Sequence, residues 1–365
     1  MTDRFADLRQ VAQDLDCDAV ALVPGPNFTR AVGRAFGSFE RPFVVVVPRS
    51  GDPAAIVPNL ELASWDTVGF PGPVFDWRDQ DGYAAAFSAL AAAMPLRSLA
   101  VEGQVMRVFV HHALKAALPG CDIRDGEAAI SGLRIVKTDA DIAALRAAIR
   151  ISEDALASTL DRVRIGQSEK EIEAMLVQAL FAEGADDLAF APIVAAADNS
   201  AQPHAHARAD YRVAAGDALL LDFGGRKDGF AADITRTVFI GHATDEGAQV
   251  YDTVLRANRR GHEVTRAGIT AHEIDDAVTG VLEMSRFADR IRTKTGHGLG
   301  REVHEAPYIM RGNHVPLAAG TVFTNEPGLY EVGNFGVRIE DVMLVTDTGC
   351  ESLTTFPTEL MVVGT

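Results

Sequence analysis

Short apolar runs alternate with amphipathic or alanine-rich stretches along the first third of the chain. The runs AVALVP, FVVVVP, AAIVP and SLAVEG are apolar, mostly β-branched or small, and typical of buried strands. The stretches FADLRQVAQDL, YAAAFSALAAAM and RVFVHHALKAAL carry apolar residues at helical spacing. Because strands that alternate with helices form layered α/β structures, this pattern predicts a small α/β domain over residues 1–132.

The pattern changes after residue 132, where longer helical stretches and grouped strands replace the regular alternation. Three helix starts are predicted by a hydroxyl residue followed three positions later by an acidic one, at Thr138/Asp141, Ser168/Glu171 and Thr270/Glu273. The stretches DALLLDFGG, GFAADITRTVFIG, GTVFTNEPGLYEV and FGVRIEDVMLVT are expected to be strands. Strands and helices that segregate along the chain predict an α+β second domain over residues 133–365.

Charge and cysteine content narrow the class of protein. The chain has 34 basic and 51 acidic residues, so sequence-independent binding to nucleic acid or to anionic membranes is not expected. No apolar run reaches the roughly 18 to 20 residues of a membrane helix, and the charged start MTDRFADLRQ is unlike a signal peptide. The cysteines Cys17, Cys121 and Cys350 are widely spaced, which predicts a reducing, cytoplasmic setting.

Two aspartates lie in strand-like apolar sequence, where an unpaired charge costs several kcal/mol. Asp222 follows three leucines and Asp233 follows Phe-Ala-Ala. His297, Glu326 and Glu340 lie in later glycine-rich or β-branched stretches and are candidate partners. Four carboxylates would neutralise two divalent cations, the imidazole would be a further ligand, and bridging carboxylates are usual in hydrolytic two-metal sites.

The order of these residues resembles that of the pita-bread metallopeptidases: methionine aminopeptidase, aminopeptidase P and, above all, Xaa-Pro dipeptidase (prolidase). The resemblance runs from about residue 138 to the end and rests on the motifs NSAQPH, LLLDFGG, ADITRT, GHGLGREVHEAP, VFTNEPGLY and FGVRIEDVMLVT. It implies a pita-bread (creatinase/aminopeptidase) catalytic domain over residues 133–365. The first third resembles the smaller creatinase/prolidase-like domain that precedes it in prolidases and aminopeptidase P.

The resemblance also implies a role for each candidate ligand. Asp222 would chelate one metal, Asp233 would bridge both, His297 and Glu326 would bind the second, and Glu340 would bridge from the far side. A water or hydroxide held between the ions would be the nucleophile, since metal coordination lowers the pKa of water towards neutrality. Glu326 would also shuttle the proton of that water to the leaving nitrogen.

Two histidines and one arginine complete the implied site. His204 and His304 would polarise the scissile carbonyl and hold the tetrahedral intermediate. His206 competes with His204, because residues two apart share one face of an extended strand. Arg338, two residues before Glu340, would contact the substrate or orient the ligand carboxylates, with a surface salt bridge as the alternative.

The resemblance therefore predicts hydrolysis of the peptide bond before proline in Xaa-Pro dipeptides by a homodimeric, dinuclear-metal enzyme. Aminopeptidase P activity on longer Xaa-Pro peptides is the nearest alternative, followed by a metal-free creatinase-like amidinohydrolase or a non-catalytic binding protein. The ligand set suits Mn, Co or Zn, and the resemblance favours Mn. Tyr308 stands where several prolidases carry an arginine that grips the dipeptide carboxylate, with Arg311 as a possible replacement.

Overall fold

The computed structural model describes residues 3–37 and 39–364, which form two compact units, Met1–Arg134 and Ile135–Thr365. The first unit contains the helices α1 (Ala6–Asp14), α2 (Pro26–Val32), α3 (Leu62–Asp66), α4 (Ala84–Ala93), α5 (Val108–Ala117) and α6 (Glu127–Gly132). Its strands are β1 (Ala19–Leu22), β2 (Val44–Pro48), β3 (Ala54–Pro58), β4 (Val74–Trp77), β5 (Ser98–Val101) and β6 (Asp122–Asp125).

The first unit is built on one six-stranded mixed sheet with the order β4-β3-β2-β1-β5-β6. Its central strands are apolar on both faces because each face packs into its own core. Val45 and Val47 of β2 contribute to one core with Phe28, while Val44 and Val46 contribute to the other. The predicted helix–sheet layer is confirmed by this arrangement.

Several elements of the first unit were not predicted. The edge strands β4 (VFDW) and β6 (DIRD) carry charged residues and are largely exposed, so their sequences lack the apolar pattern of the central strands. The helices α2, α3 and α6 span only five to seven residues, too few for helical periodicity to stand out.

The second unit has four long helices and fourteen strands among its described residues. The helices are α7 (Asp139–Leu160), α8 (Glu169–Ala182), α9 (Asp245–Val264) and α10 (Ala271–Glu283). The first seven strands are β7 (Asp187–Leu188), β8 (Ile193–Ala196), β9 (Ala218–Phe223), β10 (Gly225–Lys227), β11 (Phe230–Ala231), β12 (Ile234–Ile240) and β13 (Gly296–Gly298). The others are β14 (Glu305–Ile309), β15 (Val322–Asn325), β16 (Gly328–Tyr330), β17 (Gly336–Arg338), β18 (Asp341–Val345), β19 (Cys350–Ser352) and β20 (Val362–Val363).

Two sheets of the second unit position the site. One has the order β20-β12-β9-β8 and the other β14-β13-β15-β18-β19. The predicted starts of α7, α8 and α10 are confirmed, since each begins with a complete capping box. The predicted α+β class of this unit is confirmed as well. No helix within residues 3–37 and 39–364 is long and apolar enough to cross a membrane.

Three stretches predicted as continuous strands are interrupted at candidate site residues. Asp233 separates β11 from β12, Glu326 separates β15 from β16, and Glu340 separates β17 from β18. Side chains in a regular strand point alternately to the two faces of the sheet. A break in the strand can instead turn a side chain towards a cavity that other strands also reach. The interruptions are therefore part of how the site is assembled.

Candidate metal centre

A cavity of about 790 Å³ in the second unit is lined by all five candidate ligands. Asp222 lies near the end of β9, His297 lies in β13, and the other three lie at the strand breaks. A volume of this size is within the range of small-molecule sites in proteins. The sequence-predicted carboxylates and imidazole thus converge on one cavity.

The ligand atoms lie close enough together to share cations. Nε2 of His297 is 3.3 Å from Oε1 of Glu326 and 3.6 Å from Oδ2 of Asp233. Three overlapping groups each have donor atoms within 4.8 Å of one another. These groups are Asp222/Asp233/Glu340, His297/Glu326/Glu340 and Asp233/His297/His304. Glu340, Asp233 and His297 each occur in two groups, so the three groups form one continuous cluster of candidate metal ligands.

Glycines allow the strands that carry these residues to approach closely. A Cβ at Gly224 would lie 1.8 Å from the carbonyl oxygen of Ala232, so only glycine permits β9 to run beside the chain that leads to Asp233. A Cβ at Gly296 would lie 1.7 Å from the carbonyl oxygen of Thr324. The second close approach places His297 next to the strand that ends before Glu326.

Burial and mutual repulsion raise the pKa values of Asp233, Glu326 and Glu340. Burial is the main cause at Asp233 and at Glu340, and neighbouring carboxylates raise both pKa values further. Burial raises the pKa of Glu326 to about 7, against an opposing effect of Arg338. Burial also lowers the pKa of His297 to about 3, which favours the neutral imidazole that binds metals. Arg338 lowers the pKa values of Asp233, Glu326 and Glu340 without cancelling their rise.

Arg338 is 3% exposed, so the alternative of a surface salt bridge does not apply. Its guanidinium donates to Oδ2 of Asp222, to the hydroxyl of Thr235 at 3.0 Å and to the hydroxyl of Tyr330 at 2.8 Å. The Thr235 hydroxyl in turn donates to Oε2 of Glu340 at 2.6 Å. Arg338 and Thr235 therefore orient the two carboxylates. Neither Thr235 nor Tyr330 was predicted to belong to the site, although Thr235 lies in the ADITRT motif.

The histidines are placed as follows. His304 and His204 line the cavity, and the ring of His304 lies 4.0 Å from that of His297, centroid to centroid. Burial lowers the pKa of His304. His206 is exposed and, within the described chain, does not line the cavity. Of the two neighbouring histidines, His204 is the one that lines the cavity within the described residues.

The cavity also has cationic residues that the sequence analysis did not single out. Arg226, Arg292 and Lys294 line it, together with Glu302. Lys294 lies three residues before His297, just before the motif GHGLGREVHEAP. This position was the signal in the sequence that could have placed Lys294 at the cavity. Arg311 is engaged elsewhere: its guanidinium pairs with Glu283 at 2.6 Å and with Asp276 at 3.0 Å.

Two buried oxygen atoms indicate that the cluster fits cations. Within residues 3–37 and 39–364, neither Oδ1 of Asp222 nor Oε1 of Glu340 has a hydrogen-bond partner. Buried carboxylate oxygens without partners are costly unless a ligand satisfies them. Carboxylates with one imidazole are a donor set suited to Mn, Co or Zn.

Comparison with known proteins assigns the family. Residues 143–347 match Metallopeptidase family M24, and residues 4–136 match the Creatinase/Prolidase N-terminal domain. The chain belongs to metallopeptidase family M24. The predicted family, fold class and enzyme class are thereby confirmed, and membership implies a divalent metal cofactor.

Relatives of this M24 protein match it over nearly its whole length. A protein of Mycobacterium bovis named probable dipeptidase PepE is 33% identical over 99% of this chain and 96% of its own. The prolidase of Thermococcus sibiricus has a similar structure, with a TM-score of 0.93 and 31% identity over 99% of this chain and 98% of its own. The X-Pro aminopeptidase of Thermotoga maritima has a TM-score of 0.85 and 30% identity, with 98% of each chain covered.

Proposed function

We propose that this protein hydrolyses the peptide bond before proline in Xaa-Pro dipeptides with two divalent metal ions in its cavity, Mn being preferred. The observation that carries the proposal is the convergence of four carboxylates and His297 on one cavity, with buried oxygens of Asp222 and Glu340 lacking partners among the described residues. The names of its relatives, Xaa-Pro dipeptidase and prolidase, support the choice of substrate.

Each ligand has a separate role in the proposal. Asp222 would hold one ion, His297 and Glu326 the other, and Asp233 and Glu340 both. Bound cations supply Lewis acidity and lower the pKa of water, which makes a nucleophile available at neutral pH. The carboxylate of Glu326, whose pKa is about 7 without metal, would accept the proton of the attacking water and return it to the leaving nitrogen.

The remaining residues would orient the substrate and the ligands. His204 and His304 would donate hydrogen bonds to the scissile carbonyl oxygen as negative charge develops on it. Arg338 would keep Asp222 in place through its contact with Oδ2, while Thr235 holds Glu340. A homodimeric assembly and a cytoplasmic setting belong to the same proposal. The first rests on the resemblance to prolidases, and the second on the widely spaced cysteines.

Aminopeptidase P activity on longer peptides is the second candidate. The likeness to the X-Pro aminopeptidase of Thermotoga maritima favours it. An amidinohydrolase that works without metal, or a non-catalytic binding protein, has less support, because neither needs the complete set of carboxylate ligands. Assays of Xaa-Pro dipeptides and Xaa-Pro-Yaa tripeptides with Mn, Co and Zn separate these functions. Cleavage of tripeptides but not of dipeptides would change the assignment to aminopeptidase P.

The substitution Asp233→Ala tests the proposed mechanism. We expect a loss of turnover of more than about 10³-fold, comparable to the loss of a central electrostatic group in other enzymes. Circular dichroism is expected to show an unchanged fold. Metal analysis is expected to find about two ions per chain in the parent protein, as in hydrolytic two-metal sites, and fewer in the variant.

Asp252→Ala is the matched control, because Asp252 is exposed and, among the described residues, pairs only with Arg256 one helical turn away. It is expected to retain full activity and full metal content. Full activity of Asp233→Ala, or absence of metal from an active parent protein, would refute the mechanism.

A further inference from the structure

Part of the wall of the cavity that holds the acidic cluster is cationic. Arg226, Arg292 and Lys294 line it in a chain whose net charge is −17. A free carboxylate on a substrate would be attracted by a cation that lines the same cavity. The three cations are therefore candidates for recognising an anionic part of the substrate.

Two of the three cations already hold the protein's own backbone. Arg226 donates to the carbonyl oxygen of Arg301 at 2.8 Å, and Arg292 donates to that of Ile291, also at 2.8 Å. The ammonium of Lys294, by contrast, forms no hydrogen bond or ion pair with any residue in the described part of the chain. It is exposed at the cavity wall and is free to bind an anion.

Lys294 is also held near the cluster. It lies three residues before His297 on the same segment, and its ammonium lies 5.8 Å from the ring centre of Tyr308, within range of a cation–π contact. Lys294 therefore lines the same cavity as His297 and His304.

The other candidate for binding a carboxylate is already neutralised. Arg311 forms a two-pronged ion pair with Glu283, at 2.6 and 3.0 Å, and a third contact with Asp276. These carboxylates raise the pKa of its guanidinium. Arg311 would have to break these contacts before it could reach a substrate.

We propose that Lys294, resting on the ring of Tyr308, binds the C-terminal carboxylate of the substrate and so selects dipeptides over peptides with no charge at that position. This inference rests on the proposed function, since it assigns part of the same cavity to one end of the same substrate. A charge-assisted hydrogen bond of this kind is worth a factor of about 10 to 100 in kcat/KM.

The test compares a dipeptide such as Ala-Pro with its C-terminal amide, in which the scissile bond is the same and the carboxylate charge is absent. We expect the parent protein to prefer the dipeptide. Lys294→Met is expected to lower kcat/KM for the dipeptide about tenfold or more, mainly through KM, and to leave the amide unaffected. Lys294→Arg is expected to restore most of the preference. If turnover of the amide is too slow to follow, proline and prolinamide are compared instead, as inhibitors with and without the carboxylate charge.

Arg311→Met is the matched control, because it removes a cation of similar reach that is already paired. It is expected to leave the preference for the dipeptide unchanged. An equal loss on dipeptide and amide in Lys294→Met, or no loss on either, would overturn the role of Lys294. Failure of the parent protein to cleave any Xaa-Pro compound would instead overturn the proposed function, so the two failures are distinguishable.

Discussion

Glu340 and Asp341 are neighbours in sequence and are equally buried, at 1% and 2% exposed, yet their surroundings are opposite. Oε1 of Glu340 has no partner within the described residues, and its pKa is raised by burial and by Glu326 and Asp222. Burial alone would raise the pKa of Asp341 too. Arg236 and His262 outweigh it, and the pKa of Asp341 is lowered. Burial by itself therefore does not mark a functional carboxylate.

The partners of Asp341 form a complete network behind the cavity. Arg236 donates to it at 2.7 Å, Asn258 at 3.1 Å, and Nε2 of His262 lies 3.2 Å away. Arg236 also donates to the backbone oxygen of Glu340 at 2.6 Å. Asp341 and its partners thus support the neighbouring Glu340, where a cation would bind. The difference between satisfied and unsatisfied groups distinguishes a structural carboxylate from a ligand.

The largest expected effect comes from removing each charge in turn from the metal-free protein. Asp341→Asn leaves the fully buried guanidinium of Arg236 without its counter-ion, and we expect a loss of about 3 to 5 kcal/mol in the free energy of unfolding. Glu340→Gln, its matched neighbour, removes a repelled charge and is expected to be neutral or to stabilise by about 1 kcal/mol. Urea unfolding at pH 7 with a chelator measures both. Equal losses in the two variants would refute the distinction.

A second effect depends on pH. The folded-state pKa of Glu326, about 7, is above the ordinary value of 4.5, so its favourable contribution exists below pH 4.5 and is lost as the pH rises through 7. We therefore expect metal-free Glu326→Gln to gain stability relative to the parent between pH 4.5 and 7, by up to about 3 kcal/mol.

The comparison with the parent protein reports Glu326 together with its repulsion of the carboxylates beside it. His297 acts in the opposite direction, because its pKa is lowered to about 3 and its contribution is lost as the pH falls below 6.5. This contribution is present in both proteins, so it is subtracted in the difference except for the part that depends on the Glu326 carboxylate 3.3 Å away. Urea unfolding at a series of pH values measures the effect. A difference between the two proteins that does not change with pH would show that Glu326 is not repelled in the metal-free site.

The sequence was sufficient to predict which candidate ligands line one cavity but not what surrounds them. Asp222, Asp233 and His297 lie in local motifs whose order is readable along the chain, and all of them reach the cavity. The partners of Asp341 come from a helix and a strand 79 to 105 residues away, so no local pattern connects them. The same reason applies to Lys294: only the folded chain shows that it faces the cavity and that Arg311 does not.

Strand boundaries were the other limit. The stretch FGVRIEDVMLVT has strand propensity throughout, yet it is divided at Ile339 and Glu340. The division follows from contacts with distant strands: the backbone N–H of Glu340 donates to Thr235, and Asp341 pairs in register with Asn325. Tertiary pairing overrides local propensity at these positions. Strand propensity thus located the site segments and missed the breaks that direct their side chains.

The smallest expected effect tests how far the network behind Glu340 is redundant. His262→Phe keeps a ring at this partly exposed position and removes only the contact with Asp341, which retains Arg236 and Asn258. We expect a loss of about 1 kcal/mol in the free energy of unfolding, the net value of one hydrogen bond, and unchanged kcat. His242→Phe is the control, because His242 is exposed and its ring has no hydrogen bond within the described chain. A loss above about 3 kcal/mol would exceed one hydrogen bond and show that His262 is indispensable to the pairing of Asp341. A fall in kcat without a fall in stability would instead show that His262 positions Glu340. The distinction between a structural Asp341 and a functional Glu340 would then be wrong.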